Sequence, residues 1–259
     1  MKRIIRWALN LLPRTLLQRM AAWAVPVAGL LYAGRGRTCP VCGAHRRKFM
    51  PYGYVVQRED ALCPSCLSLE RHRALWLCLT DSNTGLTFGG TLLHIAPEAC
   101  FKRRLRKIMR RADGRYVTAD LESPLADLHF DVQQIPLADG SADIIICNHL
   151  LEHVADDRRA LSELYRVLAV GGWGVLTVPV DLTREATFED DSVTDPDERT
   201  RIFGQYDHRR IYGRDYERRL RDAGFDVRVI DVAASLSDAE CREYAVRRDE
   251  PVYLVFKRK

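Results

Sequence analysis

Between residues 130 and 180 the spacing of apolar positions changes twice, and each change has its own punctuation. Residues 142–147 are an isoleucine-rich apolar run, the mark of a parallel strand covered on both faces. Asp156 and Asp157 can cap a helix. Ala160, Leu161, Leu164, Val167 and Leu168 then recur at helical spacing, so one face of that helix is buried. Gly171-Gly172 is expected to stop it, because glycine accepts the left-handed backbone of a helix end. Residues 173–178 read as the next buried strand. Strand, helix and strand joined this way make a right-handed crossover in a doubly wound sheet.

The alternation extends in both directions. Residues 91–96 read as strand, 98–111 as helix and 115–119 as strand, and a short third strand ends near Asp131-Val132. Further on come a helix at 213–223, a strand at 225–230, a helix at 238–246 and a strand at 252–256. This argues for an α/β fold with helices on both faces of the sheet.

The residues before 91 follow a different pattern. Residues 1–34 are apolar, basic and free of acids. Arg19 and Arg35 bracket fifteen uncharged residues, too few to span a bilayer, which needs about 20. Arg14 and Arg19 fall inside the apolar region, unlike a secretory signal. Leu, Ile and Trp beside Arg suit a helix in the membrane interface, or one packed on the body with its bases in water. Cys39-Pro-Val-Cys42 and Cys63-Pro-Ser-Cys66 follow, twenty residues apart. Two such pairs aim four thiolates at one point, so Cys39, Cys42, Cys63 and Cys66 are expected to hold a structural Zn²⁺ in a zinc-ribbon-like module over residues 35–80. His45 and His72 lie nearby, but four thiolates already complete the shell. Residues 69–80 read as a linking helix and 81–90 as a polar, glycine-bearing linker.

Charge adds one asymmetry. The chain of 259 residues carries a formal net charge of +5. Residues 1–58 hold eleven Lys or Arg and no acid, so the remainder carries 29 bases against 35 acids. A basic head on a mildly acidic body suits an anionic partner, either a membrane surface met through residues 1–34 or RNA, or else a plain solvated face. The helical run FKRRLRKIMRR offers the same choice. Of the eight cysteines, four form the pairs and four are scattered through helix and strand patterns, which favours a reducing compartment such as the cytoplasm, at most peripheral to the inner face of the membrane.

The wording IPLADGSADIIICNHLLEHV and LYRVLAVGGWGVLTVP resembles the second half of a class I S-adenosylmethionine (SAM)-dependent methyltransferase of the type-11 group. The likeness covers roughly residues 91–259 and implies a seven-stranded, mostly parallel, Rossmann-like methyltransferase sheet, here preceded by the zinc-binding module. It implies SAM as cofactor, gripped at the carboxyl ends of the strands. The glycine-rich turn of the family is replaced by His94-Ile95-Ala96-Pro97-Glu98. Ala96 is the smallest chiral stand-in for glycine, and His94 occupies the place of a family acid near the cofactor's amino group. Glu98 is either a ligand of the methionine end or a first-turn helix acid. Asp120, with Leu121 beside it, matches the acid that holds the ribose. Asp131 and Val132 match the pair at the adenine, and Asn148 and His149 the floor beneath the reactive methyl.

Methyl transfer from a sulfonium needs orientation more than activation, and a base only for a protonated nucleophile. His149 is the first candidate for that base, with Tyr206 and His208 as further ones. The latter two belong to residues 181–212, a charged segment long enough to cover an acceptor, in which Tyr206, Asp207, His208 and Arg210 offer a proton acceptor beside cations, suited to an anionic acceptor. The expected activity is methylation of a small-molecule, lipid-linked or glycan acceptor. An RNA methyltransferase that grips RNA through the zinc module, and a non-catalytic adaptor that keeps the fold, are the alternatives.

Overall fold

The computed structural model describes residues 29–53 and 56–258. The membrane-interface reading of residues 1–34 therefore falls almost wholly outside the described residues. Among those described, no helix is long and apolar enough to cross a membrane.

Two short antiparallel hairpins come first. β1 (Ala33–Thr38) pairs with β2 (His45–Arg46), and β3 (Met50–Tyr52) with β4 (Arg58–Leu62). α1 (Glu70–Thr80) follows. Its first turn is closed by its own third residue, since the Leu69 N–H donates to His72 Nδ1 at 3.0 Å. The sequence shows no single apolar stripe on α1 because both of its faces are covered. Ala74, Leu75, Cys78 and Leu79 are buried, and so are Glu70, His72 and Arg73.

The main sheet is built from β5 (Thr91–Ile95), β6 (Arg115–Asp120), β7 (Leu128–His129), β8 (Ala142–Asn148) and β9 (Leu168–Thr177), all parallel, with α2 (Ala99–Arg111) and α3 (Asp157–Val167) as crossovers. The segment 181–212 contains β10 (Phe188–Glu189), α4 (Pro196–Phe203) and β11 (Arg210–Ile211). After α5 (Tyr216–Asp222) and β12 (Asp226–Ile230) come α6 (Asp238–Tyr244) and β13 (Val252–Phe256). β13 runs antiparallel between β12 and β9, giving the seven-strand order β12-β13-β9-β8-β5-β6-β7. This is the expected mostly parallel, Rossmann-like seven-stranded sheet, flanked by helices.

Alternate residues of each strand feed two cores. Leu93, Ile95, Ile145 and Cys147 face α3 and α5. Leu92, Ile144 and Ile146 face α1, α2 and the cysteine module, whose Val41 and Phe49 join the same cluster. Burying a side chain of this size contributes roughly 2 kcal/mol, so the module is held to the sheet by ordinary core packing. Residues 81–90 share in it. The Trp173 indole donates to Thr87 O at 2.8 Å, and Phe88 meets the same ring edge-on. The expected linker is therefore a packed segment.

The glycine pair also differs from expectation. α3 ends at Val167 because Leu168 turns extended and pairs with Ala142. Gly171-Gly172 lie inside β9, beside a break in its register with β8. Gly171 sits at φ +82°, and a Cβ on Gly172 would stand 2.7 Å from Asp143 O. Glycine is needed here for a strand irregularity and not for a helix end.

Candidate functional site

The chain runs outward from β5 to β7 and then returns to β8, so the strand order reverses between β5 and β8. Ligands of open α/β sheets bind beyond the carboxyl ends of the strands at that reversal. Ala96 is the first residue past β5. It adopts φ +50°, and its N–H donates to Ala119 O at 2.8 Å. A left-handed turn without glycine costs on the order of 1 kcal/mol, and the short side chain keeps the turn open.

Three of the predicted residues, His94, Glu98 and Asn148, meet in one polar chain. The Tyr116 hydroxyl and His94 Nδ1 are 2.8 Å apart, and His94 Nε2 is 2.6 Å from Glu98 Oε2. Asn148 Nδ2 donates to Glu98 Oε1 at 3.0 Å, and its Oδ1 accepts from the Thr177 hydroxyl at 2.7 Å. Burial pushes the Tyr116 phenol up. It keeps its proton and donates to Nδ1, which leaves Nε2–H to donate to Glu98. The chain therefore ties β6, β5, the start of α2, β8 and β9 together just under the rim. His94 is completely buried, with both nitrogens engaged, so it reaches a ligand only through Glu98. Burial raises the Glu98 carboxyl, but the His94 bond and the nearby histidines more than offset it and hold it at about 2.

The nucleoside candidates stand further along the same rim. Asp120 ends β6, and its Oδ1 accepts from the Glu122 and Ser123 amides. Its Oδ2 has no hydrogen bond among the described residues. Leu121 beside it is 63% exposed, an apolar side chain offered to solvent at a strand end. A carboxylate oxygen without a partner next to an exposed apolar platform fits a ribose and its base. Asp131 lies past β7 with both oxygens on Gln133, and Val132 is packed in the core. Val132 can therefore contribute backbone but not side chain.

On the other side of the reversal a cavity of about 570 Å³ opens. Asn148, His149 and Glu152, at and just past the end of β8, line it. So do Arg71 and His72 of α1, with Tyr52 and Arg58 of the module. Gln205 and His208 of the 181–212 segment and Arg247 and Glu250 complete the lining. His149 sits at φ +50°, and its Nδ1 is 3.2 Å from Glu152 Oε1. Burial lowers its pKa below the ordinary 6.5, so the ring is neutral at pH 7. Glu250 moves the other way. Burial and the charge of Glu70 push it up to about 7. The α1 and C-terminal lining residues were missed from the sequence, since residues 69–80 read there only as a linking helix and residues 247–251 fall between a helix and a strand.

Two expectations for residues 181–212 change. Tyr206 is 53% exposed and is not among the residues lining the cavity. Arg210 is buried and spends its guanidinium on the carbonyls of Leu151, Val154 and Ala155 and on Glu189. It pins the segment to the turn after β8, and with four of its five N–H donors engaged there it serves structure and not an anionic acceptor.

The four cysteines converge in the module. Cys39 and Cys66 sulfurs are 3.7 Å apart, Cys42 and Cys63 sulfurs are 3.8 Å apart, and all four lie within 4.8 Å of one another. Sulfurs about 2.3 Å from a zinc ion form a tetrahedron with edges of about 3.8 Å. The donor set and its size fit that ion. His72 points away from it, toward Leu69 N and Glu98.

Residues 91–176 match a family described as a methyltransferase domain. An uncharacterised 37.1 kDa protein of a Streptomyces fradiae transposon is 32% identical over 125 residues, covering 44% of this chain and 33% of that protein. Ajmaline N-methyltransferase of Rauvolfia serpentina is 29% identical over 93 residues, covering 34% of this chain and 32% of that enzyme. The chain thus spans about a third of the length of the curated relatives it matches. Among solved structures, a SAM-dependent methyltransferase from Mesorhizobium loti is similar with a TM-score of 0.48 at 16% identity, covering 70% of this chain and 97% of that one. A geranyl diphosphate C-methyltransferase from Streptomyces coelicolor gives 0.45 at 17% identity, covering 73% and 79%.

Proposed function

We propose that this chain transfers a methyl group from SAM to a small-molecule acceptor held in the cavity between the sheet rim and the cysteine module. The observation that carries the reading is the position of that cavity. Asn148 and His149, at the end of β8 beside the reversal of strand order, line it, so donor and acceptor would meet at β8. A volume of about 570 Å³ suits a small ligand and not a polynucleotide. The match to a methyltransferase domain and the likeness to an enzyme named for N-methylation of ajmaline support the same class.

SAM supplies an activated methyl on a sulfonium, ready for in-line displacement. Asp120 takes the ribose hydroxyls, Leu121 packs on the adenine, and Asp131 receives its exocyclic amine. Glu98, ionised and held by His94 and Asn148, faces the methionine ammonium. His94 and Asn148 are positioning residues in this scheme. His149 takes the proton of a hydroxyl or ammonium acceptor. Glu152 orients it by accepting from Nδ1–H, which leaves the lone pair on Nε2. The cysteine cluster holds a structural Zn²⁺, residues 35–80 form the module around it, and residues 181–212 cover the acceptor. Thiolate ligands require reduced cysteines, consistent with a cytoplasmic protein.

The test is calorimetry of the zinc-loaded chain with SAM and with its demethylated product. Binding of both is expected, weakened at least about tenfold in Asp120→Ala. If neither binds, the methyl-transfer reading fails.

A further inference from the structure

We propose that Glu152, His153 and His208 form a second metal site, which takes a divalent transition ion such as zinc on the cavity wall. Ligand atoms from the three side chains lie within 4.8 Å of one another. Two imidazoles and a carboxylate are a nitrogen–oxygen set suited to zinc or ferrous iron, chemically separate from the four-sulfur cluster.

Two further observations point to an ion. Glu152 is 1% exposed, its Oε1 faces His149 Nδ1, and its buried Oε2 has no hydrogen-bond partner. An ionised oxygen without a donor in the interior asks for a cation. Each histidine is also turned the way metal-bound histidines are turned. His153 Nδ1 stands 3.3 Å from Asp207 Oδ2, and His208 Nδ1 stands 3.2 Å from Phe203 O. A carboxylate or backbone carbonyl on one ring nitrogen fixes the tautomer and leaves the other as a ligand. Simple packing of the two rings, edge to face at 4.8 Å, would leave the Glu152 oxygen unmet.

All three residues line the cavity, so an ion with three protein ligands keeps an open position there. Glu152 and His153 follow β8, whereas His208 belongs to the 181–212 segment. The ion would tie that segment to the rim. What fills the open position, an oxygen of the acceptor, rests on the methyl-transfer reading; the metal site itself does not.

The experiment adds Co²⁺ to the full chain after zinc has filled the cysteine cluster, and follows the visible absorption. One equivalent is expected to bind, with ligand-field bands and no sulfur-to-metal charge transfer. Its affinity should fall about tenfold or more in His208→Ala and in His153→Ala. No binding, or binding unchanged in both variants, would overturn the site. Calorimetry with SAM on the same samples checks that each variant is folded. Cobalt binding without SAM binding would spare this site and sink the methyl-transfer reading, and the opposite result would do the reverse.

Discussion

His149 carries the sharpest prediction at the scale of the residue. A base must be unprotonated to work, and burial moves His149 below its ordinary 6.5. Methyl transfer should therefore rise with pH only below about 6.5 and stay level through neutrality. His149→Ala should lower kcat by about 100-fold and abolish that acid limb; a rate profile that keeps the limb would remove His149 from the role. Glu98 makes a separate claim about stability. Its folded value, about 2, lies below its ordinary 4.5. Its contribution is complete above 4.5 and is lost as pH falls toward 2, on the order of 3 kcal/mol. Denaturant melts at pH 5 and pH 3 should differ less in Glu98→Gln than in the parent chain.

Among the elements, α1 does the most unusual work. It has one flank on the cysteine module and one on the sheet, and its Arg73 ties the module to the end of α6. This fully buried guanidinium donates to the carbonyls of Ala61 and Ser68 in the module and of Tyr244 and Ala245 at the end of α6. Arg73→Met keeps the volume but strands those carbonyls, and should cost about 3 kcal/mol in urea denaturation. The same helix brings Arg71 and His72 to the cavity. Removing metal from the cysteine cluster should therefore lower Tm and depress methyl transfer more than SAM affinity. Equal loss of both would mean that the module supports the whole sheet and not the acceptor wall.

For the molecule as a whole, the module and the sheet share one core, and the cavity lies along their seam. The acceptor site would thus exist only when both parts are folded. The basic residues 1–34 raise a separate question of surface. If they meet anionic lipid, the full chain should float with anionic vesicles and a chain lacking them should not. Equal flotation of the two would end that reading.

Asp120 and Asp131 were picked out by the family resemblance, whereas local pattern and spacing were enough for the alternation of strand and helix and the two cysteine pairs. Those features depend on neighbours a few residues apart, and period and turn chemistry report them directly. Gly171-Gly172 misled because a glycine pair serves a helix end and a strand irregularity equally well, and only pairing with β8 decides between them. Tertiary structure alone decided the rest. The polar chain from Tyr116 to Thr177 and the meeting of His153 with His208 join residues on different elements. No local period encodes such contacts. They arise from the reversal of strand order, which brings β5 beside β8, and from α1, which is buried on both sides.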